Sequence, residues 1–213
     1  MTTHQELMKD NLFIALEGID GSGKSTQTKL MEQSLIARGL KVYTTFEPTN
    51  GPIGSMIRSV LRGEMKMDDR AVAGLFVADR LDHLLNEQDG ILKKLEEGYT
   101  VITDRYYFSS YAYHGAHMDM DWVIAANAMS ASLLRPDVTL FIDVAPEVSM
   151  TRLQERNEKI EIYETLDNLR SVRAKYVEAF EKLAGTENIV FVDGNNSREA
   201  ISRDLLRQVE HML

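Results

Sequence analysis

The chain has 213 residues, of which 44% are hydrophobic and 27% charged, a balance typical of one globular domain with a substantial core. It contains no cysteine, which excludes disulfides and thiolate metal sites and fits a cytoplasmic protein. A formal net charge of −9 argues against a broad nucleic-acid-binding surface, and no run approaches the ~20 apolar residues that span a membrane.

Short apolar runs alternate with amphipathic stretches along the chain. The runs predict strands at 12–17, 41–46, 100–103, 138–143 and 189–193. The stretches between them predict helices at 24–38, 53–62, 69–97, 121–134, 146–157, 165–184 and 197–212. We therefore expect a single α/β domain over 1–213, with a five-stranded parallel sheet flanked by helices on both faces. Ligands of such sheets bind beyond the carboxyl ends of the strands.

The first predicted strand runs directly into a glycine-rich turn. Its residues are Gly18-Ile19-Asp20-Gly21-Ser22-Gly23-Lys24-Ser25, followed by Thr26. They match the P-loop pattern G-x-x-x-x-G-K-[ST], in which backbone N–H groups and the start of a helix hold phosphates. In this pattern Lys24 reaches the outer phosphates and Ser25 binds Mg²⁺. The sequence therefore predicts a P-loop NTPase fold that binds a nucleoside triphosphate.

A second phosphate site is predicted where the third strand ends, at Asp104-Arg105. A carboxylate at this place beside a P-loop is the usual Walker B position, which holds Mg²⁺ directly or through water. The neighbouring guanidinium has a planar fork suited to a phosphate. The alternative is a surface ion pair that caps the strand.

Other side chains point to the same cleft. They are Glu47 and Arg58 after the second strand, Phe76 and Arg80 on one side of a predicted helix, and Ser109, Ser110 and Tyr113 after the third strand. An aromatic plane, a guanidinium and hydroxyl groups together suit a nucleobase. Taken singly, Phe76 fits a core position better and Arg80 fits a solvated helix charge better.

Together these segments resemble thymidylate kinases. The resemblance rests on 16–27, on Glu47-Pro48-Thr49, on 76–80, on Asp104-Arg105-Tyr106 with Ser109-Ser110 and Ala112-Tyr113, and on 137–148. It implies a kinase that uses ATP and Mg²⁺ to phosphorylate dTMP to dTDP. It also implies a homodimer, with no nucleic acid or membrane as partner.

The resemblance further implies roles at matching positions in the dTMP site. Phe76 would stack on thymine, Arg80 would hydrogen-bond its O4, and Ser110 would read its edge. Arg58 and Arg105 would clamp the phosphate, with Ser109 close by. Tyr113 would press against the sugar, and His114, which stands where a glutamine is frequent, would meet the thymine edge or the sugar.

For the charges around the transferred phosphate, the resemblance implies Asp20 at the sugar or phosphate and Glu47 in the magnesium network with Ser25 and Asp104. The P-loop has no cation before Lys24, so a lid around 150–164 is expected to supply one. Its candidates are Arg156 first and Arg152 second, four residues apart, with a solvated helix face as the alternative. The residues expected to act in catalysis are thus Lys24, Asp20, Arg105, Arg156 and Arg152.

Three departures from the resemblance, at Phe46, His114 and Ile162, and several alternatives remain open. Phe46 and Ile162 stand where the family often has arginine. A metal cluster of His114, His117, Asp119 and Asp121 lacks a helix-borne H-x-x-x-H pattern. A kinase for another nucleoside or nucleotide would share the P-loop and the Asp-Arg pair. A nucleotide-dependent switch is disfavoured, because the chain has no Asn-Lys-x-Asp guanine-reading motif and a second anion site would give a switch no role.

Overall fold

The centre of the molecule is a sheet of five parallel strands in the order β2-β3-β1-β4-β5. In the computed structural model, which describes residues 11–155 and 164–213, the strands are β1 Phe13–Glu17, β2 Val42–Phe46, β3 Thr100–Asp104, β4 Val138–Asp143 and β5 Ile189–Asp193. The predicted five-stranded parallel sheet is confirmed, and each strand begins and ends within one residue of its prediction.

Ten helices connect the strands in the described part of the chain. They are α1 Lys24–Ala37, α2 Pro52–Leu61, α3 Asp69–Leu85, α4 Ile91–Glu96, α5 Tyr107–Gly115, α6 Met120–Ala126, α7 Ala128–Leu133, α8 Pro146–Glu155, α9 Leu166–Leu183 and α10 Arg198–Glu210. None of the helices in these two stretches combines the length and the apolar character needed to cross a membrane.

The strands are apolar because both faces of the sheet are covered. In β1, Phe13 and Ala15 join one buried cluster, whereas Ile14 and Leu16 join the other. The first cluster includes side chains of α5 and α9, and the second includes side chains of α1 and α10. Successive side chains of a strand point to opposite faces, so a strand between two helical layers needs apolar residues at every position.

The prediction of one helix over 69–97 is wrong, because the chain breaks between α3 and α4. The side chain of Asn86 accepts the backbone N–H of Gln88 at 2.9 Å and of Asp89 at 3.4 Å. This local bonding replaces the helical pattern, as asparagine commonly does in turns. Gly90 then starts α4 as its N-cap.

The predicted helix at 121–134 is also two helices, and one helix was not predicted. Asn127 stands between α6 and α7, and its buried side chain bonds to Arg80 and to the carbonyl oxygen of Val123. The added helix is α5, which holds Tyr107, Phe108 and Tyr111 in the core. Because α5 is buried nearly all round, its sequence has no amphipathic period to reveal it.

Strand register brings three loops together at the carboxyl edge of the sheet. Leu16 of β1 and Phe46 of β2 both pair with Asp104 of β3. The P-loop, the Glu47 turn and Arg105 therefore leave the sheet at the same height, which is where ligands of open parallel sheets bind.

Helix α2 depends on a glycine that lets it approach the turn before it. A Cβ built on Gly54 would lie 2.0 Å from the carbonyl oxygen of Thr49, whereas one built on Gly74 in α3 would meet nothing within 4 Å. We expect Gly54→Ala to destabilise the protein by about 1–3 kcal/mol, because the helix must shift. Gly74→Ala, the control, should stabilise it by about 0.5–1 kcal/mol. Urea denaturation measures both, and equal effects would contradict the close approach.

Candidate functional site

The P-loop has the backbone shape of a phosphate cradle. Gly18 and Gly21 have φ angles of +150° and +76°, which other residues rarely adopt. A Cβ on Gly21 would also lie 2.6 Å from the carbonyl oxygen of Ser149 in α8. The loop is thus pressed against α8, and Ser149 donates a hydrogen bond to the carbonyl oxygen of Asp20. The predicted strand, turn and helix are all present, since α1 begins at Lys24.

Lys24 is buried at the centre of the loop. Its Nζ donates to the carbonyl oxygens of Gly18 at 3.0 Å and Ile19 at 3.1 Å. Burial, followed by repulsion from Arg105, lowers the pKa of Lys24 to about 8. A phosphate that approaches this amine favours its charged form, so it raises the pKa of Lys24 and completes its protonation.

Ser25 and Asp104 form the pair expected of a magnesium site. The Ser25 hydroxyl donates to Asp104 Oδ2 at 2.7 Å, so the first turn of α1 and the end of β3 are in contact. Hydroxyl and carboxylate oxygens are the hard donors that Mg²⁺ prefers, with water and phosphate completing its shell. The residues present therefore fit this ion.

Arg105 links the end of β3 to the P-loop. Its guanidinium forms an ion pair with Asp20 and donates to the hydroxyls of Tyr113 at 3.2 Å and Ser109 at 3.0 Å. Its φ of +75° is a left-handed backbone that costs a non-glycine residue roughly 1 kcal/mol or more. These three partners hold the guanidinium beside the loop in spite of the backbone strain.

The Asp20 carboxyl is ionised in this arrangement. Burial opposes its charge, but Arg105 and Lys24 outweigh burial and lower its pKa. The Tyr113 hydroxyl donates to Asp20 Oδ2 at 2.7 Å and accepts the Asp20 backbone N–H at 3.0 Å. An anion entering this site would share Arg105 with Asp20.

A cavity of about 200 Å³ opens beside Arg105. Its walls hold most of the predicted dTMP residues, namely Arg58, Phe76, Arg105, Ser109, Ser110, Tyr113 and His114, together with Asp20, Phe46, Pro48 and Leu61. The Phe76 and His114 rings meet edge to face, with centroids 5.0 Å apart. We call this cavity the acceptor pocket.

Arg80 and Glu47 lie behind the wall of the acceptor pocket. Arg80 is 1% exposed, and its five N–H groups have five contacts. The partners are Glu47 Oε2 (at 2.8 Å from Nε and 2.6 Å from Nη2), Ser110 Oγ at 3.1 Å, the carbonyl oxygen of Tyr106 at 3.1 Å and the side chain of Asn127. The guanidinium thus reaches the acceptor pocket through Ser110.

Glu47 has both carboxylate oxygens in use. Oε2 faces Arg80, and Oε1 lies 3.1 Å from His83 Nδ1. Burial opposes ionisation of Glu47, but Arg80 and His83 outweigh burial and lower its pKa. Its predicted place in the magnesium network stays a prediction, since both of its oxygens have partners within the protein.

Arg58 and Arg152 both bond to backbone carbonyls close to the cleft. Arg58 reaches Pro48 at 2.9 Å and also Thr49, which leaves it on the pocket wall. Arg152 of α8 donates to Gly194 at 3.0 Å and to Ser22 in the P-loop at 3.5 Å. Arg156, the first candidate for a lid cation, lies outside the described residues, as does most of the predicted lid.

The histidine and aspartate cluster after Tyr113 gains no support as a metal site. Among the described residues no group of three or more His, Asp or Glu side chains is arranged to hold a metal ion. Burial, with the charge of Arg80 and then His117, lowers the pKa of His114 to about 3. His114 is therefore a neutral imidazole on the pocket wall.

Sequence reasoning assigned no role to several residues that support the site. Glu17, Asn127 and Tyr176 are buried polar side chains that bond to Ser109 or Arg80. Only Glu17 had a local signal, since a carboxylate at the end of an otherwise apolar strand must find buried partners.

Comparison with known proteins gives a consistent result. A family profile for thymidylate kinase matches residues 16–205. A probable thymidylate kinase of Pyrococcus horikoshii is 36% identical over 94% of this chain and 97% of its own length. A probable thymidylate kinase of Thermococcus kodakarensis is 35% identical over 95% of this chain and 98% of its own. A thymidylate kinase of Leptospira borgpetersenii is 32% identical over 92% and 91%.

The lowered pKa of Lys24 predicts a pH-dependent affinity for a nucleoside triphosphate. Above pH 8 the free ammonium loses its proton, so binding must take one up. We expect the Kd for ATP to rise by up to about tenfold per pH unit above 8. Calorimetric titration between pH 7 and 9.5 measures this. Lys24→Met should bind weakly with no such slope, and a flat wild-type profile would contradict the burial effect on Lys24.

Proposed function

The chain belongs to the thymidylate kinase family, a family of phosphotransferases, and from that premise we propose that it transfers the γ-phosphoryl group of ATP to dTMP, giving dTDP and ADP. The observation that carries the proposal is the junction of two anion sites. The Asp20 carboxylate forms an ion pair with Arg105 at the acceptor pocket and is also attracted by the charge of Lys24 in the P-loop. Donor and acceptor phosphates bound to these two cations would meet at the loop.

Phosphoryl transfer needs positioning and charge stabilisation more than covalent chemistry from the protein. Lys24 would offset charge on the outer phosphates of ATP. Arg105, with Arg58 across the pocket, would hold the dTMP phosphate in line with them. Because Arg105 is already fixed by Tyr113 and Ser109, little rearrangement is needed when the acceptor binds.

The wall of the acceptor pocket suits a thymine base. Phe76 offers a ring for stacking, and His114 lies edge-on beside it. The Ser110 oxygen accepts a hydrogen bond from Arg80, so its own O–H can donate into the pocket. We assign to this hydroxyl the contact with thymine O4 and to Arg80 the task of orienting it. Tyr113 lies where the sugar would pass between base and phosphate.

Magnesium would be held by Ser25 and Asp104. When bound, the ion neutralises charge on the phosphates of ATP and orients them. Asp20 and Glu47 support this region by holding Arg105 and Arg80, respectively. The homodimer and the lid cation remain predictions from the family resemblance, and the cytoplasmic location remains a prediction from the absence of cysteine.

An acceptor panel tests the proposed reaction. We expect ADP release with dTMP to exceed release with dCMP, AMP and shikimate by at least about tenfold in kcat/KM, because the pocket offers a hydroxyl donor and one aromatic face. dUMP, which shares the two carbonyl groups of thymine, should rank second. Steady-state rates at equal concentrations supply the comparison. If AMP or shikimate is turned over faster than dTMP, the proposal that dTMP is the acceptor is wrong.

The role of Ser110 predicts how base preference will change. Ser110→Ala should narrow the preference for dTMP over dCMP, mainly by loss of dTMP activity, because a carbonyl loses its donor. One hydrogen bond of this kind corresponds to about 0.5–1.5 kcal/mol, or roughly two- to tenfold in kcat/KM.

Ser109→Ala is the matched control on the same helix. Ser109 faces Arg105 rather than Arg80, so its loss should lower activity with dTMP and dCMP alike. An unchanged ratio in Ser110→Ala would remove Ser110 from base recognition.

A further inference from the structure

Glu17 is a fully buried carboxylate at the end of β1. Its Oε1 accepts the backbone N–H groups of Tyr106 at 2.8 Å and Ser109 at 3.2 Å. Its Oε2 accepts the hydroxyls of Ser109 at 2.6 Å and Tyr176 at 2.8 Å. Burial raises the pKa of this carboxyl, and the hydrogen bonds of Ser109, Tyr176 and Tyr106 together with the charge of Arg105 oppose that rise. Four donors converge on the group and none of these contacts requires it to donate, which is the pattern of a carboxylate acceptor.

The two backbone contacts serve the start of α5. A helix leaves its first N–H groups without partners, and the side chain of the N-cap residue usually accepts one. Here the N-cap is Tyr106, whose side chain makes no such bond. Glu17 supplies the missing acceptor from the neighbouring strand. It therefore fixes the peptide that directly follows Arg105, the residue with φ +75°.

The hydroxyl contact extends to the guanidinium of Arg105. Because Ser109 donates its proton to Glu17, its oxygen is turned to accept from Arg105 Nη1 at 3.0 Å. Glu17 thus holds Arg105 twice, through the backbone after it and through the side chain of Ser109. Tyr176 of α9 adds a third element to the same carboxylate.

The carboxylate of Glu17 also interacts electrostatically with the two cations of the site, Arg105 and Lys24. It attracts Arg105 and, less strongly than Asp104 or Asp20 does, Lys24. Burying a carboxylate is costly, and here several donors and a positive charge offset part of that cost, although burial still raises the pKa of Glu17. Its main electrostatic partner is on the acceptor side of the cleft.

We infer that Glu17 is a positioning residue for the acceptor phosphate: it holds Arg105 in place through the start of α5 and the Ser109 hydroxyl. This inference rests on the proposed function, since it takes Arg105 as the cation that binds the monophosphate. Glu17 itself touches neither substrate.

Glu17→Gln tests the inference with little change of shape. The amide oxygen still accepts the backbone N–H groups of Tyr106 and Ser109, but the amide nitrogen cannot accept a hydroxyl proton and the charge is gone. We expect the KM for dTMP to rise about tenfold, as for a weakened hydrogen bond to a charged group. The KM for ATP should stay within about twofold, since Lys24 keeps its nearer carboxylates.

Glu187→Gln is the matched control. The Glu187 side chain is 4% exposed and accepts the hydroxyl of Tyr107, the first residue of α5, at 2.7 Å. This variant therefore tests the loss of a carboxylate that contacts the same helix, α5, at a place away from Arg105. Both KM values should stay at the wild-type level. Equal effects of the two variants, or equal losses for ATP and dTMP in Glu17→Gln, would overturn the inference.

Ser109→Ala keeps the inference testable if Glu17→Gln fails to fold. This variant removes the oxygen between Glu17 and Arg105 without leaving a charge unpaired, and it should raise the KM for dTMP selectively. Where both variants fold, the double variant should lose no more than the worse single one, because the two side chains act in one chain of contacts. Unchanged dTMP binding in Ser109→Ala, or additive losses, would refute it.

Wild-type turnover separates this inference from the proposed function. If the wild type fails to phosphorylate dTMP, the proposed function fails, and the same KM comparison is made with its best acceptor in the panel. If the wild type phosphorylates dTMP and the variants leave its KM unchanged, only the role of Glu17 is lost.

Discussion

The ion pair between Asp20 and Arg105 is the contact on which the rest of the site depends. It joins the P-loop to the end of β3, and so fixes the distance between the two proposed phosphate sites. In a protein of net charge −9, cations must be gathered locally. Lys24 and Arg105 are close enough to repel each other, and the carboxylate of Asp20 between them offsets this repulsion.

Opposite charges are also paired among the buried polar groups behind the acceptor pocket. Arg80 is surrounded by Glu47, Asn127 and Ser110, and its charge is matched by one carboxylate. Because its N–H groups all have partners, the guanidinium has a fixed orientation, and its hydrogen bond in turn orients the hydroxyl of Ser110. The site is therefore built in two layers, an outer one that meets ligands and an inner one that holds the outer in place.

Sequence predicted the sheet and the contiguous motifs well, but it could not predict the inner layer. The strands at 138–143 and 189–193 were predicted to the residue because short, mainly apolar runs have few other uses in a folded chain. The break at Asn86 depends on one side chain turning onto its own backbone. The bonds of Glu17 and Asn127 join residues 92 and 47 positions apart, and no local pattern encodes such distances.

The strand order β2-β3-β1-β4-β5 places different parts of the chain on the two sides of the P-loop. Every residue that lines the acceptor pocket lies between 20 and 114: Asp20 is in the P-loop, and the others are on segments that follow β2 and β3. The opposite flank of the loop is covered by Ser149 and Arg152, which come from beyond β4. Apart from Asp20, the residues proposed to recognise the monophosphate thus come from an earlier stretch of sequence than the two α8 residues that brace the P-loop. An evolving lineage could alter its choice of acceptor between 46 and 114 while the segment after β4 continues to brace the loop.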